Sequence, residues 1–127
     1  MDYITVSREI DATTGIENLP IRNIAFLGYA RQIDRVVVHT IDEIFYMRGT
    51  LKYWQNALDS SGYNFATVDR TNVVNLDKIV IMDEVYRVAY FTNCITKTSK
   101  RCTFTKVNFN KVKEKCALSD IKMLVIN

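Results

Sequence analysis

Between Phe65 and Leu76 the chain reads FATVDRTNVVNL, and this stretch restricts the folds open to it more than any other. Phe65 and Val68 belong to an extended, β-rich run that heads for a core. A polar cluster of Asp69, Arg70, Thr71 and Asn72 interrupts that run before Val73 and Val74 resume it. A basic residue held between two apolar anchors is aimed rather than loose. Arg is also the side chain whose planar fork grips a phosphate or a guanine edge with two bonds at once. The plainer alternative is an Arg70 that lies on the surface or pairs with Asp69 or Asp77, which would contribute little.

The rest of the chain supplies a β scaffold for that bend. Tyr3 to Arg8 alternates as a strand with one buried face, and Asp11 to Gly15 reads as a turn. Pro20 sits in a short link before Ile24 to Tyr29, an apolar run interrupted by Gly28. The polar loop Ala30 to Arg35 follows, then Val36 to Thr40, whose β-branched density makes it a hairpin partner of the preceding run. The Asp42-Glu43 turn leads to a strand over Ile44 to Arg48. A helix then starts at the N-cap Thr50, puts Leu51, Trp54, Ala57 and Leu58 on one face and ends at Ser60-Ser61-Gly62. Further on, Ile79 to Met82 and Tyr86 to Phe91 read as strands. Ile95 to Lys100 and Arg101 to Val107 read as a basic hairpin, and Asn108 as the cap of a last helix with Phe109, Val112 and Cys116 inward. The apolar tail Ile121 to Ile126 reads as a strand or a contact surface. Many short strands with two short helices predict a mainly β domain, a sandwich or a barrel.

At 127 residues the chain suits one domain, 1–127, with one hydrophobic core. No segment has the length and apolarity of a membrane span, and MDYITVSREI lacks the apolar segment of a secretory signal, so a cytoplasmic protein is expected. Cys94, Cys102 and Cys116 show no Cys-x-x-Cys spacing and His39 stands alone, so neither a metal site nor a cofactor is expected. The cysteines read as reduced, small apolar side chains, and a redox pair of Cys94 and Cys102 would need a hairpin to bring them face to face. No glycine-rich phosphate loop, acid-base pair or activated nucleophile is evident, which argues against an enzyme with a small-molecule substrate. Charge is uneven. Residues 1–93 carry nine Lys and Arg against twelve Asp and Glu, whereas 94–127 carry eight against two. Such asymmetry points to a polyanion partner or, more plainly, to a solvated basic helix.

With these elements placed, FATVDRTNVVNLDKI resembles the signature of LytTR-type DNA-binding domains, Phe-x-Arg-Ile-His-Arg-Ser-x-x-Val-Asn. The likeness extends upstream through IAFLGYARQIDRVVVHT and GTLKYW and downstream through IVIMDEVYRVAYFTN, so that it covers Tyr3 to Lys115. It implies an elongated fold of about ten strands in small stacked sheets with two short helices. Residues 117–127 would form an extra C-terminal tail, and with no receiver domain in front the protein would stand alone.

The resemblance further implies a transcriptional regulator that reads short promoter repeats in double-stranded DNA through loops and strand ends in the major groove. On tandem sites it would pair as a homodimer. The base-contacting positions correspond to Asp34, Arg70 and Lys106. Arg31, Gln32, Arg35, Thr71 and Asn72 fall in the contact loops, and Lys97, Lys100, Arg101, Lys111, Lys113 and Lys115 would hold phosphates. Three departures stand out: Thr67 replaces the motif's first Arg, Asp69 its His, and Asp34 puts a carboxylate where others can donate to DNA. They allow an alternative, a protein-binding module that has lost DNA binding and sequesters or pairs with another regulator.

Overall fold

The computed structural model describes residues 2–117 and 124–126, and strands dominate it. The described residues form β1 (Tyr3–Val6), β2 (Glu17–Pro20), β3 (Phe26–Ala30), β4 (Arg35–His39), β5 (Ile44–Met47), α1 (Leu51–Ser60), β6 (Phe65–Asp69) and β7 (Asn72–Asn75). They continue with β8 (Ile81–Asp83), β9 (Val88–Tyr90), β10 (Arg101–Thr103), α2 (Lys106–Ala117) and β11 (Leu124–Ile126). The centre is an antiparallel five-stranded sheet in the order β5-β4-β3-β7-β6.

Neighbouring residues of this sheet serve different cores, because successive side chains of a strand point to opposite faces. Leu27 and Val73 join Val36, Val38, Phe45 and Leu58 in a core covered by β1, β2 and α1. Phe26 and Val74 join Met82, Ala89, Cys102, Phe109 and Val112 in a second core under β8, β9, β10 and α2. Burial on both faces explains why Ile24 to Leu27 is a continuous apolar run rather than an alternating one. β11 adds to the outer sheet as a parallel partner of β8, with Val125 opposite Met82. Residues 121–123 of the expected tail strand lie outside the described residues.

The first helix follows its sequence signals. Thr50 Oγ1 accepts a hydrogen bond from the Tyr53 N–H at 3.0 Å, and Leu58 is buried. Trp54 is only half-buried because its indole N–H donates to the Arg48 carbonyl at 2.8 Å. That bond brings the ring against the backbone: a Cβ at Gly49 would stand 2.7 Å from Trp54 Nε1, and φ there is 110°.

Three expectations need correction. Pro20 is not in a link but ends β2, opposite Tyr3, at the strand edge where a missing N–H is tolerated. The basic hairpin over Ile95 to Val107 does not form. Residues 92–100 are turns and coil, stabilised by local bonds such as Ser99 Oγ accepting from the Thr96 N–H at 2.8 Å, and the short β10 pairs with β9 instead. Cys102 consequently faces the core opposite Ala89, where burial pushes its thiol pKa up, while Cys94 is exposed, and the two do not form a disulfide. Lastly, α2 begins before Asn108: Thr105 Oγ1 accepts from the Asn108 N–H at 3.2 Å and is the cap. Phe109, Val112 and Cys116 face inward as the periodicity indicates.

His39 lies at the end of β4, stacked on Phe26 with ring centroids 4.2 Å apart and Lys100 Nζ 3.2 Å from its Nδ1. Burial, with help from the Lys100 charge, lowers its pKa from 6.5 to about 4. Between those values the unfolded chain binds a proton that the folded chain refuses, so this residue's contribution to stability falls as pH drops from about 6.5 towards 4. Urea unfolding across pH 7 to 4 is expected to show up to about 3 kcal/mol of acid destabilisation that His39→Gln removes, although the variant is less stable at pH 7 through lost stacking. An unchanged acid slope in the variant would contradict this.

Candidate nucleic-acid interface

Strand pairing puts two of the sequence-marked loops side by side. β3 is antiparallel to both β4 and β7, with Gly28 opposite Val37 on one side and Asn72 on the other. The turn after β3 (residues 30–35) and the turn before β7 (residues 69–72) therefore project from the same end of the central sheet. The Tyr29 N–H donates to the Thr71 carbonyl at 3.1 Å, which fixes the two tips to each other.

The third segment reaches this end through a bulge in β6. Thr67 pairs with Val73 and Asp69 with Asn72, which leaves Val68 as an extra residue. Its side chain is fully buried, and its carbonyl, released from the ladder, accepts from the Thr105 N–H at 2.9 Å and the Asn108 side-chain amide at 3.2 Å. The first turn of α2 is thereby held beside the Arg70 turn. From there the helix leads away along β6, until Lys115 Nζ reaches Asn64 Oδ1 at 3.4 Å.

Asp69 holds the tip itself. Its carboxylate accepts from the Thr71 N–H (2.7 Å), Thr71 Oγ1 (3.1 Å), the Asn72 amide (3.1 Å) and Thr103 Oγ1 (2.9 Å). The first two bonds form an Asx turn, and the last joins β10 to it. Arg70 is left exposed at the apex. This assembly of Val68, Asp69, Thr103 and Thr105 was missed in the sequence, although Asp-x-Thr spacing is an Asx-turn signal. The other departures also have local partners: Thr67 Oγ1 is hydrogen-bonded to Gln55 of α1, and Asp34, at a left-handed φ of 51°, accepts from the Tyr29 hydroxyl. That bond raises the Tyr29 pKa.

The predicted contact residues divide by location. Arg31, Gln32, Asp34, Arg70, Thr71 and Lys106 are exposed at this end, Asn72 is half-buried within the Asp69 network, and Lys111 is exposed one turn into α2. Arg35 belongs to the same hairpin but is buried. Its guanidinium donates to the carbonyls of Ile10 (3.0 Å), Ile33 (3.3 Å) and Asp34 (2.9 Å), so it braces the loop from behind. Lys113 forms an ion pair with Glu84, and the Arg101 guanidinium lies over the Tyr90 ring, 5.4 Å from its centroid. Lys97 and Lys100 are not brought to this end. They belong to the loop at the far side of β10, where Lys100 Nζ also donates to the Glu43 carbonyl, and burial lowers its pKa.

A family model described as the LytTr DNA-binding domain matches residues 14–117. The chain belongs to the LytTR family. Its domain is thus a DNA-binding one, a family not defined by enzymatic chemistry, and DNA is its partner. In fold this LytTR chain is similar to the LytTr DNA-binding domain of a protein described as a methyl-accepting/DNA response regulator from Bacillus cereus. The TM-score is 0.66 at 12% identity, with 94% of this chain and 99% of the other covered. No curated protein matches in sequence. Among the described residues no cluster of His, Cys, Asp or Glu could hold a metal ion, and no helix is long and apolar enough to cross a membrane.

Asp69→Ala is expected to destabilise the domain by roughly 1.5–3 kcal/mol in urea unfolding, the range for losing hydrogen bonds to a charged group. Thr103→Val, which removes one of the four bonds, should cost clearly less. Equal losses would mean that the carboxylate is not the hub.

Proposed function

We propose that this LytTR domain is a sequence-specific, double-stranded DNA-binding transcriptional regulator of the bacterial cytoplasm, which reads short promoter repeats by inserting loops into the major groove. The convergence of three sequence-distant segments at one end of the molecule carries this reading. The hairpin tip 30–35, the Asp69–Asn72 turn and the start of α2 are linked in series by hydrogen bonds, and their exposed side chains include Asp34, Arg70 and Lys106, the positions that the family resemblance implies. A rigid β framework that presents polar loops suits base reading, because each contact is held without further ordering on binding.

Within this reading Arg70 makes a bidentate contact to guanine O6 and N7, worth roughly 1–3 kcal/mol of discrimination. Asp34, held by Tyr29, accepts from a cytosine amino group, and Lys106 reaches a base at the edge of the surface. Arg31, Gln32, Thr71 and Asn72 line the contact loops. Arg35 supports its loop rather than touching DNA. Lys111 supplies a phosphate contact, and the positive end of the α2 dipole faces the same side. Lys97, Lys100, Arg101 and Lys113 are peripheral in this scheme, because their location or their partners direct them elsewhere. Two molecules on tandem repeats would form a homodimer on DNA. The protein-binding alternative drew on Thr67, Asp69 and Asp34, and the partners of these residues inside the fold give each a structural purpose.

Arg70→Ala is expected to reduce affinity for the selected site by roughly 10- to 100-fold while leaving random DNA nearly unaffected. Lys111→Ala should weaken both similarly and lower the salt slope of log K by about 0.9. Equal losses on both DNAs for Arg70→Ala in fluorescence anisotropy titrations would remove its base-reading role, and a stoichiometric protein partner with no duplex binding at low salt would select the alternative.

A further inference from the structure

Behind the 30–35 hairpin lies a half-open cavity of about 260 Å³, bounded by β1, the loop before β2, and the end of β5. This is slightly below the about 300–1,000 Å³ of ordinary ligand pockets, a size for a small molecule. Its lining includes the apolar residues Val6, Ile10, Ile16 and Met47 and the cations Arg35 and Arg48. Arg35 is the unusual member. Its side chain is only 10% exposed, and three of its N–H bonds go to backbone carbonyls, which are neutral acceptors. The one carboxylate that meets it is Asp11, at 3.4 Å from Nη2 and itself 77% exposed. Asp11 completes the hydrogen bonding of this guanidinium from the solvent side and at long range, so an incoming carboxylate can take its place.

We propose that this cavity binds a small monocarboxylate with an apolar body, whose carboxylate replaces Asp11 at Arg35 Nη2 and whose body lies on Ile10, Ile16 and Met47. The choice of ligand class follows from the lining: among the described residues, two cations and a single carboxylate, with several apolar side chains beside them. The site also has a mechanical consequence. The same guanidinium holds the carbonyls of Ile33 and Asp34, so an anion that fixes Arg35 fixes the hairpin tip. This second step rests on the DNA-reading function proposed above; the binding step does not.

The test uses the full chain, labelled with ¹⁵N and titrated with sodium hexanoate, with hexanamide as the uncharged control. Hexanoate is expected to shift the amides of Ser7, Ile10, Ala12 and Met47 saturably, and hexanamide is not. Asp11→Asn, which removes the internal competitor, should tighten hexanoate binding severalfold. Ile16→Glu, 72% exposed at the mouth, should weaken it about tenfold by like-charge repulsion. Both positions are exposed and Arg35 itself is kept, so the dispersion of the spectra verifies folding. Identical shifts from the two probes, shifts scattered over surface lysines, or indifference to both variants would overturn the site. Saturating hexanoate should also raise duplex affinity about fivefold, the lower end of ordinary coupling. Binding without that change would overturn the coupling. Absence of duplex binding altogether, with the hexanoate shifts intact, would overturn the DNA reading and leave the cavity standing.

Discussion

One residue too many in β6 sets the arrangement on which the rest depends. Because Val68 is bulged, its carbonyl leaves the sheet ladder and becomes the acceptor for the first turn of α2, while its side chain enters the core beneath that helix. Without the bulge the register after Thr67 would shift by one residue, and the Val68 carbonyl and side chain would no longer be set together against the start of α2. The bulge therefore converts a local irregularity into a junction between the Arg70 turn and the basic helix. Asp69, immediately after it, completes the junction by gathering the turn and Thr103 of β10 around one carboxylate.

This junction also explains how a sequence can depart from its family's motif and keep the motif's architecture. An aspartate where the motif has histidine forfeits a positive contact, yet it is well suited to an Asx turn, and the turn presents Arg70 more firmly. Thr67 similarly exchanges a positive contact for a hydrogen bond to α1. Under the proposed DNA reading, electrostatic affinity is lowered in favour of positional definition, which would bias such a surface towards recognising bases rather than phosphate charge alone.

Most of the fold was legible because both strong signals, β-branched runs and helix caps, are local. Ile24 to Thr40 formed its hairpin, Thr50 capped α1, and Phe109, Val112 and Cys116 faced the core. What was not legible depended on partners distant in sequence. β2 looks like a link around Pro20 because its strand character comes from pairing with β1. Arg101 to Thr103 is a strand through β9, not through a hairpin of its own, and the basic residues before it form a loop whose Lys100 is drawn to His39 and Glu43. Counting charge along the chain therefore overstated the basic surface: the lysines between residues 94 and 117 are split between two ends of the molecule and several internal partners. The 30–35 and 69–72 loops lie side by side, whereas the buried role of Arg35 could not be read from a hairpin tip that otherwise looks uniformly polar.

In the proposed complex a single end of the molecule, made by three segments, meets the duplex. The most direct measurement is backbone amide shift mapping of the ¹⁵N-labelled chain against a duplex selected from a random pool. The account predicts perturbations confined to residues 30–35, 69–72 and the first turn and a half of α2, with His39, Lys97 and Lys100 unmoved. Perturbations concentrated on the 92–100 loop and the β4–β5 turn, with Arg70 and its neighbours unchanged, would contradict it.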